Sequence, residues 1–282
     1  MKIKHLPSIC KNRLKGKFLS SNGKLPDFII VGAQKCGTTT IIKSLEKHPD
    51  VYITNFTYPK KAYGEVHFFN KSHMILNGIN WYKTLFNKNK ISGEKTPCYM
   101  VKNKTMKRIS KLVPNVKLIV CLRDPVKRII SHLNMVNTYK KKRGGEQRFI
   151  KDIINNPEFI NRGKYFTLIS NNILPYFDIS KIHISIIDEH PFQQKKTDND
   201  NVKNLWRRTA SDQTRHINKT IDPILDFLNL EHLNIDYNYY YVGKYNKKDE
   251  IDKDTIDRLK EIYENENKKL FDLIGRKITT WT

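Results

Sequence analysis

The stretch DFIIVGAQKCGTTTIIKSLEKHP, residues 27–49, decides the fold of this chain. Its apolar run at residues 28–31 predicts a buried strand, and a loop bounded by glycines, residues 32–37, follows it directly. Apolar residues then recur with helical spacing at residues 41–45. A helix that begins after a glycine loop presents backbone N–H groups and the positive end of its dipole to an anion. The stretch therefore predicts a strand, a phosphate-binding loop and a helix, in that order.

Other apolar patterns predict the elements around this unit. We expect further strands at residues 51–53, 117–122 and 182–187. Helical spacing is found around residues 106–112, 221–230 and 252–274. Because strands alternate with helices, we predict an α/β fold: a single domain with a central, mainly parallel sheet flanked by helices.

The segments between these elements are predicted from turn residues and charge. Residues 93–97 are expected to be rich in turns, and residues 140–145, KKKRGG, to form a basic loop. The turn Asp222–Pro223 is expected to precede the helix that follows it. Residues 1–24 are rich in lysine and predict a flexible basic arm, so that the domain itself would span residues 25–282.

The formal net charge of +24, from 52 Lys plus Arg against 28 Asp plus Glu, favours an anionic partner. A nucleotide, a nucleic acid, a membrane surface and an acidic polysaccharide all fit that charge. Lysine outnumbers arginine, and asparagine and isoleucine are abundant, as AT-rich coding would produce. Compositional bias therefore stays open as the source of much of the excess charge.

The four cysteines and the apolar runs limit other classes of site. The cysteines show neither CxxC nor histidine-paired spacing, so we expect no metal site. The basic N-terminus has no apolar stretch of signal-peptide length, and no run approaches the roughly 18 apolar residues of a membrane span. We expect a soluble, unanchored chain, with a cytoplasmic location favoured unless an anchor has been removed.

The loop departs from the nucleoside triphosphate pattern GxxxxGK[ST] at its decisive position. Gly32 and Gly37 have the right separation, but Thr38 stands where the pattern requires lysine, and Lys35 lies inside the loop instead. A kinase with a variant P-loop therefore fits poorly, although the pattern leaves it open.

Six motifs in the same order as in a known family suggest a different donor. They are GAQKCGTTTI at 32–41, GEVHFFN at 64–70, GEKTPCYM at 93–100, RDPVKRIISH at 123–132, RGKY at 162–165 and KKLFDLIGR at 268–276. The chain resembles sulfotransferases that use 3'-phosphoadenosine 5'-phosphosulfate (PAPS), and is most similar to their heparan sulfate branch. The resemblance implies PAPS as the donor, adenosine 3',5'-bisphosphate as the product, and no metal.

Candidate donor-binding residues follow from the first and fourth motifs. By resemblance, the loop residues hold the 5'-phosphosulfate; they are Lys35, Cys36, Gly37, Thr38, Thr39 and Thr40. Arg123 follows a buried strand, and Arg128 and Ser131 are three residues apart on the next helix, so they suit a terminal phosphate. A helix start with solvated arginines is the alternative, most strongly for Arg128. Lys247, in GKYNKK, resembles a residue of the loop near the 3'-phosphate.

Candidate catalytic residues follow from the chemistry of transfer to a hydroxyl. The acceptor proton needs a base, and Glu65 matches the glutamate of the heparan sulfate 3-O-sulfotransferase-like motif. His67 would point the same way if the segment is extended, and could orient Glu65 or share the proton. By resemblance Lys95 lies near the reacting centre, and Lys35 would stabilise charge on the departing phosphate. A surface glutamate, a core histidine and a solvated lysine are the corresponding alternatives.

Two departures from the family limit what the resemblance implies about the acceptor. The acidic residue expected after HFF is Asn70, and no cysteine after Cys121 can form the disulfide common in the glycan-modifying branch. We expect a glycan or a small hydroxylated molecule as the acceptor, with an amine as an alternative to the hydroxyl. A polyanion-binding protein without activity is the remaining reading, using residues 1–24 and 140–143. Nothing predicts nucleic acid as a partner, because no RNA-binding aromatic motif is present.

Overall fold

The computed structural model describes residues 23–58, 63–146, 148–188, 210–235 and 253–281. Within these ranges one sheet is built from β1 (Phe28–Gly32), β2 (Val51–Ile53), β3 (Ile91–Lys95), β4 (Lys117–Leu122) and β5 (Ile182–Ile186). The strand order is β2–β3–β1–β4–β5, and every neighbouring pair is parallel. The predicted α/β fold with a mainly parallel sheet is confirmed.

Helices connect and cover these strands. In chain order they are α1 (Thr38–Leu45), α2 (Ser72–Ile75), α3 (Ile79–Lys83), α4 (Asn103–Leu112), α5 (Pro125–Lys141), α6 (Ile150–Ile154), α7 (Pro157–Asn161), α8 (Tyr165–Leu168), α9 (Ala210–Leu228) and α10 (Lys253–Ile274). Short 3-10 turns lie at Tyr99–Val101, Ile179–Lys181 and Thr279–Trp281, and a π-helical turn lies at Ile169–Ile173. No helix in the described ranges is both long and apolar enough to cross a bilayer.

The central strand β1 is buried along its whole length, because a parallel sheet is covered on both faces. Its register against β3 pairs Phe28 with Gly93. A Cβ atom at Gly93 would lie 2.3 Å from Cζ of Phe28, so the phenyl ring occupies the space of the missing side chain. The glycine therefore leaves room for the ring between the two paired strands.

The strand order creates a crevice at the carboxyl end of β1. The chain passes from β1 to β2 and β3 on one side, and then returns to β4 and β5 on the other. Ligands of open parallel sheets bind at such a switch point, outside the carboxyl ends of the strands. The glycine loop, the end of β3 and the end of β4 meet at this crevice.

Three local predictions are wrong. Residues 93–97 are not only turn, because β3 extends through Lys95; its polar residue Glu94 is buried with hydrogen-bond partners. Pro223 lies inside α9 and does not precede it. Burial of Ile221 and Ile224, on either side of the proline, stabilises the helix there. Lys140 and Lys141 belong to α5, which leaves only the following residues as the basic loop.

Other boundaries agree with the sequence. Asp124 caps α5 by accepting hydrogen bonds from the N–H groups of Val126 and Lys127, and Pro125 is the first helical residue. Gly275 follows α10 in the left-handed conformation, with φ of 69°, as a helix-ending glycine does. Residues 1–22 of the predicted arm lie outside the described residues.

Candidate active site

The glycine loop presents its backbone to an anion. Lys35 and Gly37 both adopt the left-handed conformation, with φ of 73° and 71°. Gly37 is the N-cap of α1, and as a glycine it has no side chain with which to cap the helix. A Cβ at Gly37 would also lie 3.0 Å from Cδ1 of Ile187. The first N–H groups of α1 therefore face the crevice together with the positive end of the helix dipole.

Positively charged side chains converge on this loop. Burial lowers the pKa of Lys35, and the nearby charges of Arg123 and Lys95 lower it further. Burial also lowers the pKa of His132 to about 3, and Arg128, Arg162 and Lys35 add to that shift. Neighbouring cations thus lower the pKa values of Lys35 and His132, and a bound anion would stabilise the charged forms of these residues.

The turn that carries Arg123 is held in place by hydrogen bonds from other parts of the chain. The hydroxyl of Tyr165 donates to the carbonyl oxygen of Arg123 at 2.9 Å. The N–H of Asp124 donates to the carboxylate of Asp188 at 3.1 Å, and the indole N–H of Trp281 donates to the same carboxylate at 2.9 Å. The turn after β4 is thus fixed by residues from α8, from the end of β5 and from the last described turn of the chain.

The other predicted donor-binding residues have different outcomes. Ser131 is half-buried on α5, where it stays a candidate for the terminal phosphate. Arg128 is fully buried and donates to the carbonyl oxygen of Phe159 at 2.6 Å, so its interpretation as a solvated arginine is wrong. The buried thiol of Cys36 lies 3.4 Å from the hydroxyl of Tyr165. Lys247 lies outside the described residues.

The predicted catalytic residues lie together. Oε1 of Glu65 is 3.2 Å from Nζ of Lys95, and Oε2 of Glu65 is 3.1 Å from Nε2 of His67. Nζ of Lys95 also donates to the hydroxyl of Thr39 in the glycine loop at 3.0 Å. Lys95 therefore links the carboxylate to the anion-binding loop.

The charges of this group support one another. Burial opposes ionisation of Glu65, but the hydrogen bond from His67 and the charge of Lys95 outweigh it, and the pKa of Glu65 is lowered. Burial likewise opposes the charged form of His67, whereas its contacts with Cys98 and Glu65 raise the pKa of His67 to about 10. Glu65 is thus held as a carboxylate between two cations.

His67 reaches Glu65 by a turn and not along an extended segment. Its φ is 57°, in the left-handed region, so the expected extended geometry is wrong although the two side chains do meet. Nδ1 of His67 lies 3.1 Å from Oδ1 of Asn70, and the amide nitrogen of Asn70 lies 3.0 Å from Sγ of Cys98. Asn70 therefore contacts His67 even though it lacks the carboxylate that the resemblance implied.

Sequence reasoning missed the residues that hold the catalytic candidates and the Arg123 turn in place. Glu94 and Thr96 are fully buried beneath it, and Tyr165 and Asp188 hold the Arg123 turn. The position of Asp188 at the end of a strand was the available signal, because side chains at strand carboxyl ends meet at one edge of the sheet. Within the described ranges, no group of three or more His, Cys, Asp or Glu side chains could hold a metal ion.

The sheet and its loop define the class: parallel α/β proteins with a glycine loop, suited to an anion, after the first strand. A family model described as sulfotransferase domain matches residues 25–184. The chain therefore belongs to the sulfotransferase domain family, and the predicted family is confirmed.

Named relatives agree with this assignment. Heparan sulfate glucosamine 3-O-sulfotransferase 3B1 of Mus musculus is 41% identical over 120 residues, which cover 40% of this chain and 28% of the relative. Heparan sulfate glucosamine 3-O-sulfotransferase 5 of the same species is 28% identical over 172 residues, covering 57% and 47%. The chain thus spans less than half the length of these curated relatives.

The fold is also that of a solved sulfotransferase from Alicyclobacillus acidocaldarius. The two chains superpose with a TM-score of 0.63 at 20% identity, over 91% of this chain and 98% of the other. At that identity the likeness concerns the fold.

Proposed function

We propose that this chain is a sulfotransferase that moves the sulfuryl group from PAPS to a hydroxyl, or alternatively an amine, of a carbohydrate-like acceptor. The observation that carries the proposal is the contact of Lys95 with both Glu65 and Thr39, at 3.2 and 3.0 Å. It joins a half-buried carboxylate, suited to accept a proton, to a loop suited to hold a phosphosulfate.

The donor supplies an activated sulfuryl group and a phosphate leaving group, and the residues of the crevice fit it. The N–H groups at the start of α1 and the hydroxyls of Thr38, Thr39 and Thr40 can hold its phosphosulfate oxygens. Lys35 can stabilise the charge that develops on the phosphate as the bond to sulfur breaks. We assign Arg123 and Ser131 to the 3'-phosphate, since a guanidinium and a hydroxyl suit a terminal phosphate.

The base would be Glu65. Its depressed pKa keeps it ionised at neutral pH, ready to take the acceptor proton as the acceptor oxygen attacks sulfur. His67 would orient the carboxylate through the hydrogen bond to Oε2, and Lys95 would stabilise charge at the reacting centre. In-line transfer of this kind depends on positioning and charge more than on a covalent intermediate.

The acceptor is proposed to be a glycan or a small hydroxylated molecule. Both relatives named above are called heparan sulfate glucosamine 3-O-sulfotransferases, and the net charge of +24 suits an acidic sugar chain. Asn70 replaces the expected acidic residue beside His67, which favours an acceptor geometry different from that of these relatives.

The test is a transfer assay with PAPS labelled in the sulfuryl group. Heparan sulfate oligosaccharides, small alcohols, amines and tyrosine peptides would be offered in parallel, and label is expected on one class. Glu65→Gln is expected to lose about 10²- to 10⁴-fold in kcat while keeping its affinity for adenosine 3',5'-bisphosphate.

The matched control is Glu264→Gln, an exposed position on α10, which should leave turnover unchanged. Full activity of Glu65→Gln would exclude Glu65 as the base. Binding of ATP with magnesium in competition with the bisphosphate would instead support the kinase alternative.

A further inference from the structure

The hydroxyl of Thr96, one residue beyond β3, holds the backbone that carries the proposed base. Its oxygen accepts hydrogen bonds from the N–H groups of Val66 and His67, at 3.2 and 3.3 Å. The same hydroxyl donates to Oε2 of Glu94 at 2.6 Å. A threonine hydroxyl has one proton and two lone pairs, so these three bonds use its full capacity.

Glu94 fixes the direction of that hydroxyl. Both Glu94 and Thr96 are fully buried. Oε1 of Glu94 accepts hydrogen bonds from the hydroxyls of Tyr82 at 2.6 Å and Tyr99 at 3.2 Å. With its other oxygen occupied in this way, Glu94 offers Oε2 to Thr96, and the lone pairs of Thr96 point at the two N–H groups.

The segment held by Thr96 includes the left-handed residue His67. Other backbone bonds to the segment run from Lys95 N–H to the carbonyl oxygen of Gly64, from Tyr58 N–H to that of Glu65, and from Lys71 N–H to that of His67. A left-handed conformation costs free energy in a residue other than glycine and persists only where its surroundings enforce it. Thr96 supplies the bonds to Val66 and His67 that enforce it here.

We propose that Thr96 is a positioning residue for the reaction, which keeps the imidazole of His67 against Oε2 of Glu65. This inference rests on the proposed function. Without the hydroxyl, the N–H of His67 loses its acceptor and the N–H of Val66 keeps only the carboxylate of Glu94. The segment then relaxes to find other partners, and the 3.1 Å contact between His67 and Glu65 is lost.

The kinetic test compares Thr96→Val, which has nearly the same shape without the hydroxyl, with Thr96→Ser, which keeps it. Thr96→Val is expected to lower kcat by about 10- to 100-fold, as a small misplacement of catalytic groups does. Its affinity for adenosine 3',5'-bisphosphate should stay within about twofold, because the glycine loop is untouched. Thr96→Ser should restore most of kcat. Equal kcat in Thr96→Val and the unaltered chain would overturn the proposal.

A second readout needs neither donor nor acceptor. Proton NMR of the chain without substrates reports the pKa of His67, with its resonance assigned by its absence in His67→Ala. The groups that face His67 are Glu65, Asn70, Cys98 and the ring of Tyr58. Thr96→Val should move the pKa of His67 from its raised value toward the ordinary value near 6.5, and Thr96→Ser should not.

The two readouts separate the failure of this proposal from that of the function. If no sulfuryl transfer is found but Thr96→Val shifts the pKa of His67, the function is wrong and the positioning stands. An unchanged pKa of His67 in a folded Thr96→Val would overturn the positioning. If thermal unfolding shows that Thr96→Val does not fold, Thr96→Ala takes its place in the comparison. Failure of both to fold, with Thr96→Ser folded and active, would assign the hydroxyl to stability alone and also overturn it.

Discussion

Both carboxylate oxygens of Glu65 already have cationic or imidazole partners, Lys95 on Oε1 and His67 on Oε2. A base needs one oxygen directed at the acceptor proton. Lys95 has a second partner, the hydroxyl of Thr39 in the loop, and can remain there when it leaves Oε1. Each carboxylate oxygen also has about two lone-pair sites, so the proposed chemistry needs at most a small movement of one lysine.

Lys95→Met tests this arrangement through pH. The cation lowers the pKa of Glu65, so its removal should raise that pKa and move the acidic limb of the kcat profile to higher pH. We also expect kcat at neutral pH to fall about 10²-fold, because the loop loses a charge near the transferred group. Kinetics from pH 4 to 8 would measure both effects.

The control for Lys95→Met is Lys107→Met, an exposed position on α4. It should leave the pH profile as it is. An acidic limb that stays in place in Lys95→Met would show that Glu65 is not the group that titrates.

At the scale of residues, the sequence allowed Glu65, His67 and Lys95 to be chosen but not the way they meet. The motifs selected the residues by resemblance, whereas the left-handed turn at His67 depends on Thr96, which is 29 residues further along the chain. For Arg128, the sequence did not reveal the surroundings of the side chain. Its position on the helix suggested a phosphate, and its complete burial against the carbonyl of Phe159 could be known only from the packing.

At the scale of elements, β3 shows why a buried strand can escape prediction. Its sequence, ISGEK, lacks the β-branched and aromatic runs that predict strands. The strand forms because Gly93 admits the ring of Phe28 and because Glu94 finds three hydroxyl donors. Both reasons lie in distant parts of the chain. In contrast, β1 and β4 are continuous apolar runs, and the sequence sufficed to predict them.

Gly93→Ala tests the register of the two central strands. An added Cβ would lie 2.3 Å from Cζ of Phe28, so the ring or the strand must move. We expect a loss of about 1–3 kcal/mol in the free energy of unfolding, the usual cost of overpacking a core. Urea denaturation would measure it.

Gly145→Ala is the matched control, because the atom nearest to its added Cβ is 3.7 Å away. It should change stability by less than about 0.5 kcal/mol, as surface substitutions usually do. Equal stability of Gly93→Ala and the unaltered chain would contradict the pairing of Phe28 with Gly93.

At the scale of the whole molecule, the site depends on residues from nearly the full length of the chain. The family model ends at residue 184, but Asp188 and Trp281 complete the support of the Arg123 turn. The sequence predicts one domain over residues 25–282, and this contact joins distant parts of that range. The boundary at residue 25 and the cytoplasmic location stay predictions.

Trp281→Leu tests this long-range support. Loss of the indole N–H removes one hydrogen bond from Asp188, worth about 0.5–1.5 kcal/mol. We expect the affinity for adenosine 3',5'-bisphosphate to fall about three- to tenfold, since Arg123 is assigned to the 3'-phosphate. Adenosine 5'-phosphate lacks that group, and its affinity should hardly change. Calorimetric titration of both nucleotides would measure the difference.

Phe149→Leu controls for the loss of an aromatic ring, because Phe149 is 60% exposed whereas Trp281 is 6% exposed. Its affinities should match those of the unaltered chain. A loss of equal size for both nucleotides in Trp281→Leu would mean that the contact serves general stability and not the 3'-phosphate.

The convergence of Lys35, Arg123 and the start of α1 has a further consequence for turnover. In the proposed reaction, the groups that these residues hold are phosphates, and both phosphates remain on the nucleotide after the sulfuryl group has left. The spent nucleotide should therefore bind about as firmly as the fresh donor and compete with it. We expect added adenosine 3',5'-bisphosphate to slow repeated cycles by occupying the donor site, while bond breaking at sulfur still limits kcat.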